Sequence, residues 1–597
     1  MNPPGLLKHL FRGTSAVAVF ILGMTAASGR ADDARFDLSA ALAALPVGQD
    51  AVLSLPPGTH RLPAEGWRLQ GLRQVIIDGQ GATLVATSRY APALQILDCE
   101  GLTLRNFQID YDPLPFTQGI VRKVDPASRI IEVKLHDGYP GIDAVVPPKG
   151  GVFTDARLQV FDPKLEQPKP GTPDYGAARM EDAGDRVLRI TLPEGQLGID
   201  LIAPDDLVTI SSRAAEGVTI RNSRDVIFDS ITIFSAPNVA ILVRSCETGG
   251  IFRNVRIVPG PPPAGATARR LMSACADGLN ISYTRNGPLV EQCEFSYLGD
   301  DSINFHGTMV PILKWLDDRT FLAAVPWKNN RFDVMTRDGD VARFLEPPSY
   351  RVLSQSRIAN VAVVQEPVEL WMKTLSGIWS MLKIRPESVT FYRVTLQAPV
   401  EGVPIGAFCE IPATAAPGFL IRNNYFHDHR ARGLRIMSGN GAILNNRFAR
   451  IKGAAISLGP ELAFWRESGW ARNITVSGNV ITDVGQGLNT QLPSSYTLGA
   501  ISVMVRPDPG GPSPYMGNEN IVIENNIIDG CSVGGISVSN ARNVQVTNNT
   551  ISRVNLSPHT DAGKDYELST TDPISIIRAE AHLKDNTILP HAAPSHP

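Results

Sequence analysis

The sequence is poor in charged residues. Of its 597 residues only 19% are Asp, Glu, Lys or Arg, below the roughly 25% of average soluble domains. The 56 basic and 59 acidic residues give a net charge of −3. A protein that binds nucleic acid shows a basic patch or a high isoelectric point, so this composition argues against a nucleic-acid partner. The 43% of hydrophobic residues are enough for a large core.

Cysteine is also scarce. The sequence has six, at Cys99, Cys246, Cys275, Cys293, Cys409 and Cys531. None belongs to a C-x-x-C motif, and none has zinc-ligand spacing with a histidine. An exported protein could pair some of them, but the pattern favours small buried residues without a chemical role.

Long apolar runs are absent except near the N-terminus. Lys8 and Arg12 precede an uncharged stretch, residues 14–29, that is shorter than the ~20 residues a membrane span needs. This arrangement is typical of a secretory signal peptide, residues 1–31, rather than of a membrane anchor. We therefore expect a periplasmic or extracellular protein that has no membrane association after cleavage.

What the sequence does contain is a repeat. Short β-branched runs end in asparagine pairs at residues 423–424, 445–446, 525–526 and 548–549, with steps of 22 and 23 residues. This period is too short for a β-α-β unit, which needs ~30 residues or more. It suits one coil of a parallel β-helix, with three short strands and three bends. Asparagine tolerates a left-handed bend, and its amide can hydrogen-bond to the asparagine one coil away, so we predict structural ladders.

Two stretches interrupt the repeat with alternating apolar and polar residues, which is typical of antiparallel strands. The predicted fold class is all-β, a right-handed parallel β-helix (a solenoid) with two inserted antiparallel β-barrel-like domains. The predicted organisation is a signal peptide at 1–31, β-helix at 32–116, 213–307 and 418–589, insertions at 117–212 and 308–417, and a tail at 590–597.

The densest group of polar side chains lies between residues 276 and 307. Asp277 is followed 23 residues later by Asp300 and Asp301, and then by Asn304 and His306. Because 23 residues is one coil and neighbouring coils lie ~4.8 Å apart, we expect the three carboxylates to crowd one patch. Crowded carboxyl groups raise one another's pKa, so one can stay protonated while another is ionised.

Such a pair supplies the general acid and the general base that glycoside hydrolysis requires. Inverting enzymes hold the two groups roughly 6.5–9.5 Å apart, which leaves room for water. Asp277, Asp300 and Asp301 are therefore the predicted catalytic residues, with Asn304 and His306 as substrate-binding residues. Two alternatives stay open: a solvated Asp-Asp bend, and a calcium site built from the clustered carboxylates.

Further polar residues are candidates for substrate binding. Arg432 and Arg435 belong to a basic cluster that could hold sugar hydroxyls or an anionic group, or form surface ion pairs. Trp465 and Glu467 lie in an unusually long coil and suit sugar stacking and hydroxyl binding, or a covering loop. Asp112, just before the first insertion, could edge the same cleft or cap a bend.

The segments Asp277-Gly278 and Asp300-Asp301-Ser302-Ile303-Asn304-Phe305-His306-Gly307 together resemble glycoside hydrolase family 110. Residues 425–428 and 464–469 are also similar to that family. The resemblance implies a β-helix with two inserted β-barrels, exo-acting α-1,3-galactosidase activity with inversion, and no metal or other cofactor. It also implies that Asp277 is the general acid and that Asp300 and Asp301 position and activate water.

The resemblance has departures. Phe305 stands where the galactosidases are expected to have valine, and residues 110–119 look more like an uncharacterised branch near the family. The acid–base residues could therefore be kept while the sugar differs. The predicted partner is a carbohydrate substrate, and a homodimer formed through the solenoid is compatible with the resemblance.

Two other functions compete with a glycosidase. One is a β-helix polysaccharide lyase that acts on uronates with calcium and a basic residue. The other is a non-catalytic, glycan-binding solenoid, because a fold does not determine a function. The carboxylate-rich, lysine-poor segment from residue 277 to 307 favours the hydrolase.

Overall fold

A computed structural model describes residues 18–20, 36–44, 51–149, 152–327, 331–347, 349–380, 383–462, 465–486, 497–505, 513–556, 567, 569 and 571–590. The predicted signal peptide lies outside these residues, except for the strand Ala18–Phe20, which pairs in parallel with Ala51–Ser54. Among the described helices none is both long and apolar enough to cross a membrane.

Most strands form the three parallel faces of a β-helix. On the first face the strands, or strand parts, come from Ala18–Phe20, Ala51–Ser54, Val75–Ala86, Thr103–Tyr111, Ile227–Ile233, Ile251–Arg253, Leu289–Glu291, Leu420–Arg422, Gly439–Leu444, Arg472–Ser477, Asn518–Glu524, Ala541–Thr547 and Ala581–Lys584. The second face comprises Thr59–Arg61, the later parts of Val75–Ala86, Thr103–Tyr111 and Ile227–Ile233, and then Arg256–Ile257, Glu294–Ser296, Tyr425–His429, Arg447–Ile451, Val480–Val484, Ile527–Cys531, Thr550–Ser552 and Thr587–Ile588.

The third face carries the candidate catalytic residues at its strand starts. Its parallel strands are Trp67–Gln70, Leu94–Leu97, Val218–Arg221, Ile241–Arg244, Leu279–Ser282, the first part of Ile303–Trp315, Leu434–Ile436, Ile456–Leu458, Gly499–Val503, Gly534–Ser539 and Ile574–Ile577. Apolar residues alternate inward along all three faces and form one continuous buried core. The predicted parallel β-helix is thereby confirmed.

Asparagine ladders follow the bend between the first two faces. The first residue of each predicted pair, for example Asn423 or Asn445, has a left-handed φ of 58° or 55°. The second residue is buried and bonds to the next coil. The Nδ2 atoms of Asn424, Asn446, Asn479, Asn526 and Asn549 each donate to the Oδ1 of the asparagine one coil on, at 2.9–3.0 Å.

The first insertion is an antiparallel nine-stranded sheet. Its hydrogen-bonded order is Pro148–Lys149, Val152–Phe153, Arg179–Asp182, Val187–Thr191, Ile130–Leu135, Phe116–Asp125, Leu207–Ser211, Arg157–Phe161 and Tyr175–Gly176. It has its own apolar core and, in the described residues, does not close on itself.

The second insertion closes into a six-stranded antiparallel barrel. Its strands are the later part of Ile303–Trp315, then Thr320–Val325, Val341–Glu346, Arg351–Val364, Thr390–Leu396 and Phe408–Glu410. A short strand, Glu467–Ser468, pairs antiparallel with the continuation of the third-face strand.

The helices are short and peripheral. The α-helices are Leu38–Ala43, Ile142–Val145, Phe332–Met335 and Met372–Ile378, and the 3₁₀-helices are Ile199–Leu201, Val368–Leu370, Pro386–Ser388 and Pro412–Thr414. All six cysteines are free and buried.

Candidate active site

Two consecutive coils of the third face bring the predicted catalytic residues together. Asp277 precedes the strand Leu279–Ser282, and Asp300 and Asp301 precede the next strand, which starts at Ile303. These strands pair in register, with Leu279 beside Ile303. The loops that lead into them therefore stack directly on one another.

Gly278 allows this close stacking. A Cβ atom at this position would lie 2.6 Å from the Phe295 ring and 2.7 Å from the Ser302 carbonyl oxygen. Such distances are shorter than van der Waals contact permits, so a side chain at residue 278 would push the Asp277 loop away from the loop of Asp300.

The three carboxyl groups form a tight cluster. One oxygen each from Asp277, Asp300 and Asp301 lies within 4.8 Å of the other two. Asp277 is 7% exposed and Asp301 is 1% exposed. Burial, together with the negative charges of Asp300 and Asp301, raises the pKa of Asp277 well above its ordinary value.

Asp300 has the opposite environment. Burial works to raise its pKa, but the guanidinium groups of Arg430 and Arg213, followed by Arg157 and Arg432, outweigh burial and hold the pKa of Asp300 well below its ordinary value. The Oδ2 of Asp300 pairs with Arg213, and its Oδ1 lies 3.1 Å from Nη1 of Arg430. Asp300 is therefore an anion beside a carboxyl group that holds its proton.

Asp301 is held by a bidentate pair. The Nε and Nη2 atoms of Arg432 donate to its two oxygens at 2.8 Å each, and the backbone N–H of Arg432 donates to Oδ1 at 2.9 Å. Both oxygens of this buried carboxylate are occupied. Asp301 can therefore supply fixed negative charge, whereas the 20% exposed side chain of Asp300 can reach water.

The same three carboxylates are the candidate metal ligands. Ca²⁺ takes 6–8 oxygen ligands, and the described cluster of acidic side chains offers three carboxylates. Arginine hydrogen bonds already occupy oxygens of two of them. The donor set is thus better matched to guanidinium neutralisation than to a calcium ion.

The carboxylates line a cavity of about 340 Å³. Among the residues predicted to bind substrate, it is also lined by Asn304, His306, Arg432, Arg435, Trp465 and Glu467. The side-chain Oδ1 atoms of Asn280 and Asn304, one coil apart, are buried there and have no hydrogen-bond partner among the described residues. Buried acceptors without partners are rare, so these two are suited to sugar hydroxyl donors.

His306 is neutral in this cavity, because burial lowers its pKa to about 3. Its Nδ1 donates to the carbonyl oxygen of Gly307 at 2.9 Å, which leaves Nε2 as an acceptor facing Oε1 of Glu467 at 3.5 Å. Burial and the charge of Glu461 raise the pKa of Glu467 to about 7. Glu467 is therefore a second carboxyl group that is partly protonated near neutral pH.

Asp112 does not line this cavity. Its exposed carboxylate pairs with Arg61 at 2.7 Å on the solenoid surface, near the bend before the first insertion. Its neighbour Asp110 binds Arg270 through two hydrogen bonds, of 2.8 and 2.9 Å. The structure does not support the suggestion that Asp112 edges the cleft, because its carboxylate pairs with Arg61 away from the cavity.

Several cavity residues escaped the sequence analysis. Arg157 and Arg213 come from the first insertion and from the segment just after it, and Trp327 comes from the barrel. Single arginines and tryptophans in irregular insertions have no periodic signal. Asn280 could have been found, because it lies three residues after Asp277, to which it donates a hydrogen bond of 2.9 Å.

Comparison with known proteins finds sequence relatives that are named α-1,3-galactosidase. No protein-family model matches the sequence. The α-1,3-galactosidase B of Bacteroides thetaiotaomicron is 24% identical over 421 residues, which cover 69% of this chain and 63% of that protein. The α-1,3-galactosidase B of Akkermansia muciniphila is 23% identical over 597 residues, which cover 93% of this chain and 67% of that protein. The chain thus spans slightly less than two thirds of the Bacteroides relative.

Among solved structures, an exopolygalacturonase of Thermotoga maritima has a TM-score of 0.39 and 13% sequence identity, and the match covers 90% of this chain and 84% of the other. The curated relatives confirm the resemblance read from residues 277–307. The chain is similar over most of its length to curated proteins named α-1,3-galactosidase, at 23–24% identity.

Proposed function

We propose that the protein is a glycoside hydrolase that releases α-linked galactose from the non-reducing ends of glycans. The observation that carries the proposal is the carboxylate cluster, in which a proton-holding Asp277 lies within 4.8 Å of an arginine-held, anionic Asp300. Neighbouring carboxyl groups with opposite pKa shifts are the acid–base arrangement of this reaction class.

Asp277 is the general acid. It gives its proton to the glycosidic oxygen as the bond to the anomeric carbon breaks. Asn280 donates to its Oδ2, and this hydrogen bond orients the carboxyl group. Loss of the proton is assisted when the leaving group carries negative charge in the transition state.

Asp300 is the general base in this proposal. Its carboxylate accepts a proton from water as the water attacks the sugar. Asp301, tied to Arg432, adds negative charge that stabilises the oxocarbenium-like transition state. The low pKa of Asp300 keeps it ionised throughout the working pH range.

Inversion is the stereochemical outcome that we propose. The resemblance to glycoside hydrolase family 110 supports inversion. The contacts with Arg213 and Arg430 occupy two of the about four lone-pair sites of Asp300, which leaves sites for a water molecule. The carboxylate oxygens that lie within 4.8 Å of one another are closer than the roughly 6.5–9.5 Å of inverting pairs and nearer to the ~5–5.5 Å of retaining pairs. Product stereochemistry is therefore the direct test of this part of the proposal.

The volume of the cavity supports exo action, and the names of the sequence relatives support galactose specificity. A volume of about 340 Å³ lies at the small end of the about 300–1,000 Å³ range of ligand sites, which suits a terminal sugar better than a long chain. The names of the relatives give α-1,3-galactosyl linkages as the first substrates to try. Export through the predicted signal peptide would place the enzyme where such glycans are met.

The decisive experiment is incubation with α-1,3-linked galactobiose and longer α-1,3-galactosides, followed by proton NMR. We expect β-galactose as the first product, with turnover lost in Asp277→Asn. Release of α-galactose would overturn inversion. Unsaturated products that absorb ultraviolet light and vanish with a chelator would replace the hydrolase with a lyase, and binding of glycans without any cleavage would indicate a non-catalytic solenoid.

A further inference from the structure

A short segment of the first insertion, residues 171–174, reaches the catalytic cluster in addition to Arg157. The backbone N–H of Gly171 donates to the carbonyl oxygen of Gln486 at 2.7 Å, and Nζ of the buried Lys452 donates to Oγ1 of Thr172 at 2.8 Å. These contacts fix the segment against the second face of the solenoid, beside the coil that carries Arg430.

Asp174 ends this segment and shares Arg430 with the catalytic cluster. The Nε of Arg430 donates to Oδ1 of Asp174 at 2.7 Å, and its Nη2 donates to Oδ2. The remaining nitrogen, Nη1, donates to the carbonyl oxygen of Gly299 at 2.9 Å and lies 3.1 Å from Oδ1 of Asp300. One buried guanidinium therefore joins two carboxylates from distant parts of the sequence.

We propose that Asp174 is a positioning residue for the reaction, which acts on the water-activating Asp300 through Arg430. The inference rests on the proposed function. By binding the Nε–Nη2 edge of Arg430, Asp174 leaves only Nη1 for Asp300, so that Asp300 keeps lone pairs free for water. A bidentate Arg430–Asp300 pair would use those lone pairs, as the Arg432 pair does at Asp301.

The same contacts could serve only to dock the insertion, and the two roles differ in what they change. Docking contributes to stability and is shared by Thr172, Gly171 and Asp174. Of Gly171, Thr172 and Asp174, only Asp174 binds the guanidinium of Arg430 and so limits the nitrogens that remain for Asp300. The consequence extends to Asp277, because the charge of Asp300 helps to hold the proton of Asp277.

The test compares Asp174→Asn with Asp174→Glu and with the control Thr172→Val. In Asp174→Asn we expect Arg430 to turn to Asp300, kcat to fall ~10–100-fold, and KM to change little, because the base is misplaced while the sugar site is intact. The basic limb of the kcat/KM profile should move to lower pH, since a better neutralised Asp300 lets Asp277 lose its proton sooner. Asp174→Glu should restore most of kcat.

Thr172→Val removes the shorter of the two hydrogen bonds of Lys452, the other being to the carbonyl oxygen of Pro173 at 3.4 Å, and does not change charge. We therefore expect a lower melting temperature and an unshifted pH profile. Equal pH profiles for Asp174→Asn and wild type, or the same phenotype in Asp174→Asn and Thr172→Val, would overturn the inference. Crystal structures of wild type and Asp174→Asn give a readout that does not need turnover. There, Arg430 with unchanged contacts to Gly299 and Asp300 would also overturn it.

The two proposals fail in different ways. A wild-type protein that cleaves no galactoside refutes the proposed function, and the position of Arg430 in the two crystal structures still decides the inference. A wild type that is active while Asp174→Asn has the same kcat and pH profile refutes the inference alone.

Discussion

The asparagine ladder and the aspartate cluster are both made of polar side chains stacked on successive coils of one β-helix. In the ladder, Asn446 donates through Nδ2 to Asn479 and to the carbonyl oxygen of Ile421, and its Oδ1 accepts from the backbone N–H and the Nδ2 of Asn424. Each amide has both a donor and an acceptor, so identical neighbours satisfy one another.

Carboxylates on adjacent coils cannot do the same. An ionised carboxylate only accepts hydrogen bonds, so Asp277, Asp300 and Asp301 repel one another when stacked. Two of them are held by arginines, and the third keeps a proton. The comparison shows that stacked neutral amides stabilise a repeat fold by hydrogen-bonding to one another. Stacked carboxyl groups instead shift one another's pKa, which produces a proton donor beside an anion.

The largest expected effect of a single substitution is on activity, at Asp277. Asp277→Asn removes the proton donor, and general acid catalysis typically contributes ~10²–10⁴-fold. We expect kcat to fall by about that factor on galactosides with sugar leaving groups, and by much less on an aryl galactoside whose leaving group needs no proton. Steady-state kinetics on the two substrate types measure the difference.

The same substitution should leave the fold as stable as before or more so, because it removes a buried carboxyl group that faces two anions. Equal losses of activity on both substrate types, or a substantially lower melting temperature, would show that Asp277 acts as a structural residue like those of the ladder.

Next in size is the stability lost when the ladder is broken. Asn446→Ala leaves the backbone N–H of Asn424 and the carbonyl oxygen of Ile421 without their side-chain partner inside the solenoid. Each buried group left unpaired costs about 1–3 kcal/mol, so we expect a loss of about 3–5 kcal/mol of unfolding free energy. Denaturant unfolding measures this loss. Activity at permissive temperature should remain normal, and a selective loss of kcat would contradict the separation of the two regions.

The ladder could be predicted from the sequence because its cause is local and repeated. A left-handed bend favours Asn or Gly, and Gly478, with a φ of 69°, replaces the first asparagine in the coil of Asn479. The carboxylate stack was predictable for the same reason, because Asp277 and Asp300 are one coil apart. A single period in the sequence therefore gives both the fold and the placement of the carboxylates.

The neutralising charges could not be predicted in this way. Arg213 and Asp174 enter from the end and the interior of an irregular insertion, and their positions depend on how that sheet packs on the solenoid. Asp112 shows the converse, because its position in the sequence beside the insertion did not indicate that its side chain pairs with Arg61. The repeat period predicts which side chains stack on neighbouring coils. The packing of the insertion on the solenoid determines which arginines contact those side chains.

A third prediction concerns Glu467, at the edge of the carboxylate cavity. Its pKa in the folded protein is about 7, above the 4.5 of an unperturbed glutamate, so the folded state binds the proton more tightly. Stability from this group is therefore complete below about pH 4.5 and is lost as the pH rises to about 7. The loss is up to about 3 kcal/mol at 1.36 kcal/mol per unit.

Glu467→Gln should flatten the fall of unfolding free energy between pH 4.5 and 7, measured against wild type by denaturant titration. Asp277 contributes a slope of the same sign, so the difference between wild type and variant isolates Glu467. If the unfolding free energy of the two proteins depended on pH identically, Glu467 would not contribute to that dependence. It would then resemble the neutral asparagines of the ladder rather than the carboxylate cluster.

The smallest expected effect lies in a second, exposed ladder, which tests whether stacking or burial gives the buried one its strength. Asn520 donates to Asn473 at 2.9 Å and accepts from Asn543 at 2.7 Å, and all three side chains face solvent. Water can replace these bonds, so Asn520→Ala should cost about 1 kcal/mol or less of unfolding free energy, part of it from the left-handed φ of 57° at this residue.

Denaturant unfolding of Asn520→Ala and Asn446→Ala side by side measures the difference between the two ladders. As a control, Asn520→Gly, which adopts the left-handed backbone without strain, should cost less than Asn520→Ala. Equal losses at residues 446 and 520 would mean that the stacked amides stabilise the coil regardless of water, and the high cost of unpaired buried groups would then not explain the ladder.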